Sequence, residues 1–244
     1  MEHSPLTSCG GPGAARHTSP LPVAALAALA ALAALLLVAC GGGEPTAPKA
    51  RDFGAVAPPG GPLVVFLGDS LTAGYGLPEE AAFPALLEER ARGAGIAVRV
   101  INGGVSGDTS AGGLARLDWF LAQDPDAIVV GLGGNDGLRG LPVERLEQNL
   151  RGIVERSRAA GAAVLILGQR IPPSLGPAYS RDFARVYERV AQDLDVPLVP
   201  FLLEGVGGVR SLNLPDGLHP NERGQTIVAD TVWPELEALL RNLD

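Results

Sequence analysis

Cysteine and histidine are scarce in this sequence, and their positions exclude several kinds of site. The 244 residues include two cysteines, Cys9 and Cys40, and three histidines, His3, His17 and His219. The chain after Cys40 therefore has no disulfide framework and no thiolate metal site. A metal centre built from several histidines is excluded from the same region, because His219 is the only histidine there. If that region uses a histidine as a base, the base is His219.

Runs of basic residues are also absent. The 19 Lys and Arg residues are outnumbered by 27 Asp and Glu residues, which gives a net charge of −8. An acidic chain without a basic run is poorly suited to bind phosphate backbones, so no nucleic acid partner is expected. The composition, 46% hydrophobic and 19% charged, is typical of a globular α/β protein that carries one unusually apolar segment.

That apolar segment runs from Val23 to Cys40 and contains no charged residue. Its length suits either a secretory signal or a membrane-spanning helix. It ends in Leu37-Val38-Ala39-Cys40, which resembles the bacterial lipobox, and the resemblance implies that Cys40 is lipidated and becomes the mature N-terminus. An uncleaved signal anchor and an ordinary cleaved signal are the alternatives, since Arg16 is the only Lys or Arg before the segment. All three alternatives export the rest of the chain.

The chain is accordingly divided into three regions. Residues 1–40 are predicted to be a signal peptide with a lipobox-like end. Residues 41–62, rich in Gly, Pro and Ala, are predicted to be a flexible tether, and residues 63–244 the folded domain. The expected location is a membrane, with the domain anchored by lipid and facing the periplasm or the cell exterior.

From Leu63 onward, short apolar runs alternate with helical patterns. Strands separated by helices predict a parallel five-stranded sheet with helices on both faces. In such a sheet, ligands bind beyond the carboxyl ends of the strands. The candidate strands are 63–67, 97–101, 127–132, 163–167 and 197–201, and the candidate helices are about 79–92, 110–122, 142–160, 179–194 and 222–241.

Three polar motifs follow the first three predicted strands, so they are expected at one rim of the sheet. Ser70, in the Gly-Asp-Ser-Leu stretch after the first strand, is a candidate nucleophile. Gly107, in the glycine-rich stretch after the second, has a backbone N–H that could donate to a developing oxyanion. Asn135, in the Gly-Gly-Asn-Asp stretch after the third, offers a neutral side-chain donor for the same purpose. Each motif taken alone is also ordinary turn or cap chemistry.

A fourth motif, from Asp216 to Pro220, precedes the last predicted helix. Asp216 and His219 are three residues apart and can meet in one turn, so that the carboxylate orients the imidazole and stabilises its cation. A helix cap is the alternative for such a pair. Pro220 is expected to open the last helix. Taken together, the motifs supply a nucleophile, a base with its orienting acid, and two neutral donors.

These four motifs, in this order, resemble the blocks of the SGNH hydrolases, also called GDSL lipases/esterases. Three longer stretches are similar to the bacterial thioesterase I/arylesterase/lysophospholipase branch: Gly-Asp-Ser-Leu-Thr-Ala-Gly-Tyr (68–75), Ser-Gly-Asp-Thr-Ser (106–110) and Gly-Gly-Asn-Asp-Gly-Leu-Arg-Gly (133–140). The resemblance covers about residues 63–240. It implies a flavodoxin-like three-layer α/β/α sandwich, and it implies no metal and no organic cofactor.

The resemblance also implies a role for each motif residue. Ser70 would be the nucleophile and His219 the general base, oriented by Asp216. The backbone N–H groups of Ser70 and Gly107 and the side chain of Asn135 would form the oxyanion hole.

The leading functional hypothesis is an exported, monomeric serine ester hydrolase that acts on acyl or aryl esters, acyl thioesters or lysophospholipids. One alternative is a carbohydrate O-deacetylase or acyltransferase that uses the same site, and acceptor use would distinguish it. Another is a lipoprotein binding module with a decayed site, against which the intact motifs argue. Leu138, Ile171 and Pro172 lie in loops after strands and are expected to line the substrate site. Core anchoring of the loops is the alternative for Leu138 and Ile171.

Overall fold

The computed structural model describes residues 60–172 and 175–243. The predicted signal peptide, Cys40, nearly all of the predicted tether, and Pro173 lie outside the described residues. None of the helices within 60–172 and 175–243 is both long and apolar enough to cross a membrane.

A five-stranded parallel sheet forms the centre of the domain. Its strand order is β2-β1-β3-β4-β5, and every pairing is parallel. This is the order of flavodoxin-like folds, so the predicted fold class is confirmed. The strands are β1 (Leu63–Gly68), β2 (Arg99–Gly104), β3 (Ala127–Gly131), β4 (Ala163–Leu167) and β5 (Leu198–Val199).

Helices connect the strands and cover both faces of the sheet. Two of them, α1 and α4, are single short turns that begin directly at the motifs after β1 and β3, where the sequence predicts turns. The helices are α1 (Ser70–Ala73), α2 (Phe83–Gly93), α3 (Ser110–Leu121), α4 (Gly134–Leu138), α5 (Val143–Ala159), α6 (Pro177–Leu194) and α7 (Glu222–Arg241), with short 3₁₀ turns at Glu79–Ala81 and Arg210–Leu212.

Two hydrophobic clusters, one on each face of the sheet, hold these layers together. Along β1, Val64 and Phe66 belong to the cluster beneath α2 and α7, while Val65 and Leu67 belong to the cluster beneath α3, α5 and α6. This alternation is what a strand buried on both faces requires. The domain is therefore a three-layer sandwich with the sheet as its middle layer.

The last strand is shorter than the sequence predicts. The prediction of a strand over residues 197–201 is wrong in extent, because β5 contains only Leu198 and Val199. Pro197 and Pro200 flank these two residues, and proline has no N–H to donate to a strand ladder. The chain beyond β5 instead turns back over the rim, where Phe201 lines a cavity.

The last helix begins at the predicted residue, Glu222, but Pro220 has a different role from the one expected. Pro220 does not open α7; it pairs with Asn213 in an isolated antiparallel bridge. Asn221 is the N-cap instead, since its side-chain oxygen accepts the N–H of Gly224 at 3.1 Å. The bridge closes the loop that carries the Asp216–His219 motif, which fixes that loop from both ends.

The strand order decides what lies beside Ser70. Ser70 follows β1, Gly107 follows β2 and Asn135 follows β3. Because β2 and β3 are the two neighbours of β1, about 4.8 Å away on either side, the sheet places one candidate donor on each flank of Ser70.

Candidate active site

Ser70 stands at the first position of helix α1, directly beyond the end of β1. Asp69 caps this helix, because its Oδ1 accepts the N–H of Leu71 at 3.0 Å. Gly68 is required at the strand end, since a Cβ there would lie 1.9 Å from Oγ1 of Thr72. The backbone can therefore turn sharply enough to present the Ser70 hydroxyl to the rim.

His219 and Asp216 lie where the sequence predicts, with His219 hydrogen-bonded to Ser70 and Asp216 hydrogen-bonded to His219. Nε2 of His219 is 2.9 Å from Oγ of Ser70, although 149 residues separate the two in the chain. Nδ1 of His219 is 2.7 Å from Oδ2 of Asp216. The carboxylate holds the proton on Nδ1, which leaves Nε2 as an acceptor for the serine hydroxyl.

Asp216 is held as a carboxylate by its own loop. Its Oδ1 accepts the backbone N–H groups of His219, at 3.0 Å, and of Leu218, at 2.9 Å. These two bonds, followed by the bond from the His219 ring, lower the pKa of the Asp216 carboxyl from 3.8 to about 2. Asp216 is thus an anion over the whole pH range in which an imidazole titrates.

Tyr75 stacks against the His219 ring, and the sequence analysis does not single it out. The two ring centroids are 4.4 Å apart with an interplanar angle of 34°. The backbone N–H of Tyr75 donates to the Ser70 carbonyl at 3.0 Å, so this aromatic ring is fixed by the same turn that carries the nucleophile. The resembling stretch 68–75 ends on this tyrosine, which is the signal that points to it.

Gly107 lies in a turn that leaves its N–H without an acceptor among the described residues. The N–H of Asp108 donates to the carbonyl of Val105 at 3.0 Å, and Gly107 occupies the third position of this turn with a φ of +82°. That conformation favours glycine. The loop is tied down by Arg139, whose Nη2 donates to the Gly107 carbonyl at 2.8 Å.

Asn135 lies in the first turn of α4 and is oriented by two acceptors. Its Nδ2 donates to the Asp108 carbonyl at 2.9 Å, and it lies 3.4 Å from Oδ2 of Asp69. The first bond is short and fixes the amide plane. The second is long, so one N–H of the amide is only weakly engaged.

Asp69 is a buried carboxyl directly beside Ser70. It is 2% exposed. Burial raises the pKa of the Asp69 carboxyl from 3.8 to about 6, against the opposing effects of the Leu71 N–H, the His219 charge and the Asn135 side chain. No motif identifies this property in the sequence, because it depends on the helices that close over the residue.

Arg116 joins the ends of two strands to the loop of Gly107. Its Nε donates to Oδ2 of Asp108 at 2.7 Å, its Nη1 to the Gly103 carbonyl at 2.7 Å, and its Nη2 to the Gly68 carbonyl at 2.9 Å. The guanidinium therefore satisfies carbonyls at the carboxyl ends of β1 and β2. No sequence motif identifies this residue, since its role depends on contacts across up to 48 positions.

One cavity of about 660 Å³ opens above these residues. Ser70, Gly107, Asn135 and His219 line it, whereas Asp216 lies behind the imidazole. The rest of the lining is largely apolar, and Gln169 and Arg170 add two polar side chains after β4. The apolar and aromatic lining residues include Leu71, Tyr75, Leu138, Ile171, Pro172, Phe201, Leu203 and Leu218.

The three residues expected from the sequence to line the substrate site all border this cavity. Leu138 is 50% exposed, so it does not anchor its loop in the core. Ile171 both lines the cavity and anchors its loop, because it also packs against the cluster beneath α3, α5 and α6. Pro172 borders the cavity from the exposed side. Among residues 60–172 and 175–243, no group of three His, Cys, Asp or Glu side chains is arranged to hold a metal ion.

Comparison with known proteins agrees with this geometry. Residues 66–227 match the model of the GDSL-like Lipase/Acylhydrolase family. Esterase TesA of Pseudomonas aeruginosa is 47% identical over 178 residues, 72% of this chain and 89% of that protein. Thioesterase 1/protease 1/lysophospholipase L1 of Escherichia coli K12 is 41% identical over 180 residues, 73% of this chain and 85% of that protein.

The fold matches that of solved structures as well. The crystal structure of the psychrotrophic esterase EstA from Pseudoalteromonas sp., inhibited by monoethylphosphonate, is 35% identical and superposes with a TM-score of 0.71. The match covers 74% of this chain and 100% of that one. With the family model spanning most of the domain and relatives this similar, the chain belongs to the GDSL-like lipase/acylhydrolase (SGNH hydrolase) family of ester-cleaving enzymes.

Proposed function

We propose that this protein is an exported serine ester hydrolase that cleaves acyl esters, aryl esters, acyl thioesters or lysophospholipids through an acyl-serine intermediate. The observation that carries the proposal is the continuous hydrogen-bonded chain from Ser70 through His219 to Asp216. The relatives, named as an esterase and a thioesterase/lysophospholipase, support this range of substrates.

In the acylation step, Oγ of Ser70 attacks the carbonyl carbon while Nε2 of His219 accepts the serine proton. The imidazolium that forms is stabilised by the Asp216 carboxylate, 2.7 Å from Nδ1. His219 then gives the same proton to the departing alcohol or thiol as the bond to the acyl carbon breaks. In deacylation a water molecule takes the place of the alcohol, and its proton passes through His219 back to Oγ as the acid leaves.

The negative charge on the carbonyl oxygen needs neutral donors during both steps. The N–H of Ser70 and the N–H of Gly107 supply two, since neither donates to another described residue. The third is Asn135, whose weakly engaged N–H, 3.4 Å from Asp69, would turn to the oxyanion. Its other N–H remains on the Asp108 carbonyl and keeps the amide in place.

The test is a hydrolysis screen on the purified domain. We expect p-nitrophenyl esters from acetate to palmitate to be cleaved with a preference for one range of chain lengths, and Ser70→Ala to abolish the reaction. Acyl thioesters and lysophospholipids assayed in parallel show which class of substrate the enzyme prefers. Failure of the parent to cleave any of these substrates above the Ser70→Ala background would overturn the proposal.

Export and anchoring by lipid form a separate part of the proposal. They rest on the apolar segment 23–40 and the lipobox-like residues that end at Cys40. Expressed in a bacterial host, the full chain should enter the detergent phase, and Cys40→Ser should release it or leave it unprocessed. An intact-mass measurement that finds an unmodified N-terminus downstream of Cys40 would contradict lipidation while leaving the catalytic assignment untouched.

A further inference from the structure

The carboxamide of Gln169 is a buried polar group without a protein partner. The residue is 3% exposed, and its Nε2 makes no hydrogen bond. Its Oε1 makes none with any described residue either. An unpaired buried amide destabilises the fold, so such groups are rare unless a ligand or water completes their hydrogen bonds.

Gln169 lies on the wall of the catalytic cavity. It follows β4, which is separated from β1 by β3 alone, so its backbone is two strand spacings, about 10 Å, from that of Ser70. The preceding residue, Gly168, is fixed to β5 and the segment that follows it. Its N–H donates to the Val199 carbonyl, and its carbonyl accepts the N–H of Leu202, both at 2.8 Å. The carboxamide is therefore presented from a rigid part of the scaffold.

The surroundings of Gln169 in the cavity are mostly apolar. Ile171, Phe201 and Leu203 line the same cavity. Arg170 is engaged elsewhere, since its guanidinium lies 4.8 Å from the centre of the Phe201 ring and 3.7 Å from a Glu204 oxygen. A neutral amide in a mostly apolar part of the wall discriminates between substrates by the hydrogen bond it can make.

We propose that Gln169 is a specificity residue that hydrogen-bonds a hydroxyl or carbonyl oxygen of the substrate remote from the ester being cleaved. This rests on the proposed ester hydrolase function. A carboxamide presents both donors and an acceptor on a neutral group, which suits a hydroxyl. The oxygen belongs either to the acyl chain, as in hydroxyacyl esters, or to the alcohol, as in monoacylglycerols.

The experiment compares oxygenated and plain esters on matched variants. In one arm, p-nitrophenyl decanoate is compared with its hydroxydecanoate counterparts, the hydroxyl being moved along the chain. In the other, 1-decanoylglycerol is compared with propyl decanoate. Gln169→Leu, similar in size but apolar, should lower the ratio of kcat/KM for the best oxygenated ester to that for its plain counterpart by about 10- to 100-fold. The arm in which this occurs identifies the source of the oxygen.

Phe201→Leu is the matched control, because it changes another lining residue without removing a polar group. It should alter both rates together and leave the ratio near that of the parent. Gln169→Leu should also raise kcat/KM for the plain esters and leave the thermal midpoint equal or higher, because it removes an unpaired buried amide.

An unchanged ratio in both arms would overturn the inference. So would a fall in the thermal midpoint of more than about 5 °C, because it would mean that the carboxamide has a structural partner. Either result leaves Ser70-dependent cleavage of plain esters intact. Failure of the proposed function is distinguishable, since the parent would then cleave no ester at all.

Discussion

At the scale of single residues, Asn135 is the proposed oxyanion donor whose contribution is most open to measurement. Its amide is fixed by the Asp108 carbonyl and only weakly engaged by Asp69, so one N–H could turn to the substrate when charge develops on it. We expect Asn135→Ala to lower kcat by about 10²- to 10³-fold with a smaller effect on KM. Steady-state kinetics on one p-nitrophenyl ester test this. A variant impaired only in KM would make Asn135 a binding or turn residue.

Asp69 gives a second prediction at this scale, on stability. Its pKa is raised in the folded state, from 3.8 to about 6, so the proton is bound more tightly after folding. This contribution to stability is present below about pH 4 and is lost as the pH rises through 6. Asp69→Asn keeps an oxygen to cap Leu71 but carries no buried charge.

Asp69→Asn should therefore raise the free energy of unfolding by about 2–3 kcal/mol near pH 7.5 and change it little near pH 4. Urea unfolding at the two pH values measures the difference. Equal effects of the substitution at both values would show that burial of the Asp69 charge does not govern stability.

At the scale of elements, Arg116 of α3 joins the carboxyl ends of β1 and β2. Replacing it with alanine would leave the carbonyls of Gly68 and Gly103 and the Asp108 carboxylate without this donor. We expect Arg116→Ala to lower the free energy of unfolding by about 2–4 kcal/mol. It should also lower kcat, because the same guanidinium steadies the loop of Gly107.

The control for Arg116 is Arg156→Ala on α5. Arg156 also makes an ion pair, with Asp118, but both side chains are exposed at 43% and 74%. Exposed pairs contribute little, so the control should change stability by less than about 1 kcal/mol. Equal losses of stability in the two variants, measured by urea unfolding, would contradict the role of Arg116 in joining β1 to β2.

The helices and strands also show which structural features the sequence predicts and which it does not. The spacing of Leu146 and Leu150 predicts a buried face on α5, and both residues are fully buried. The bounds of α7 are predicted, but the extent of β5 and the bridge that Pro220 makes with Asn213 are not. A proline limits a strand or opens a helix according to its partners, and the local sequence does not specify them.

At the scale of the whole molecule, the order of strands explains how distant motifs become one site. The sequence predicts that the motifs share a rim, since each follows a strand. It does not predict that β1 lies between β2 and β3, which is what brings Gly107 and Asn135 to opposite sides of Ser70. The roles of Arg116 and Gln169 are not predicted from the sequence either, because the contacts of the guanidinium and the missing partner of the amide depend on what surrounds them in space.

The pH dependence of kcat/KM tests most directly whether Ser70, His219 and Asp216 act as a catalytic triad. His219 is the only histidine after Cys40, so no neighbour can replace it. Activity of the parent should rise with pH, because only neutral imidazole can accept the Ser70 proton. Asp216→Ala should be less damaging than loss of the imidazole, because the carboxylate orients the base and takes no proton.

The decisive measurement is the pH–rate profile of the parent beside that of His219→Ala, with the fold of the variant checked by circular dichroism. We predict that His219→Ala loses the ascending limb and about 10⁴- to 10⁶-fold in kcat/KM. A folded His219→Ala protein that kept substantial activity, or kept the same ascending limb, would contradict the triad.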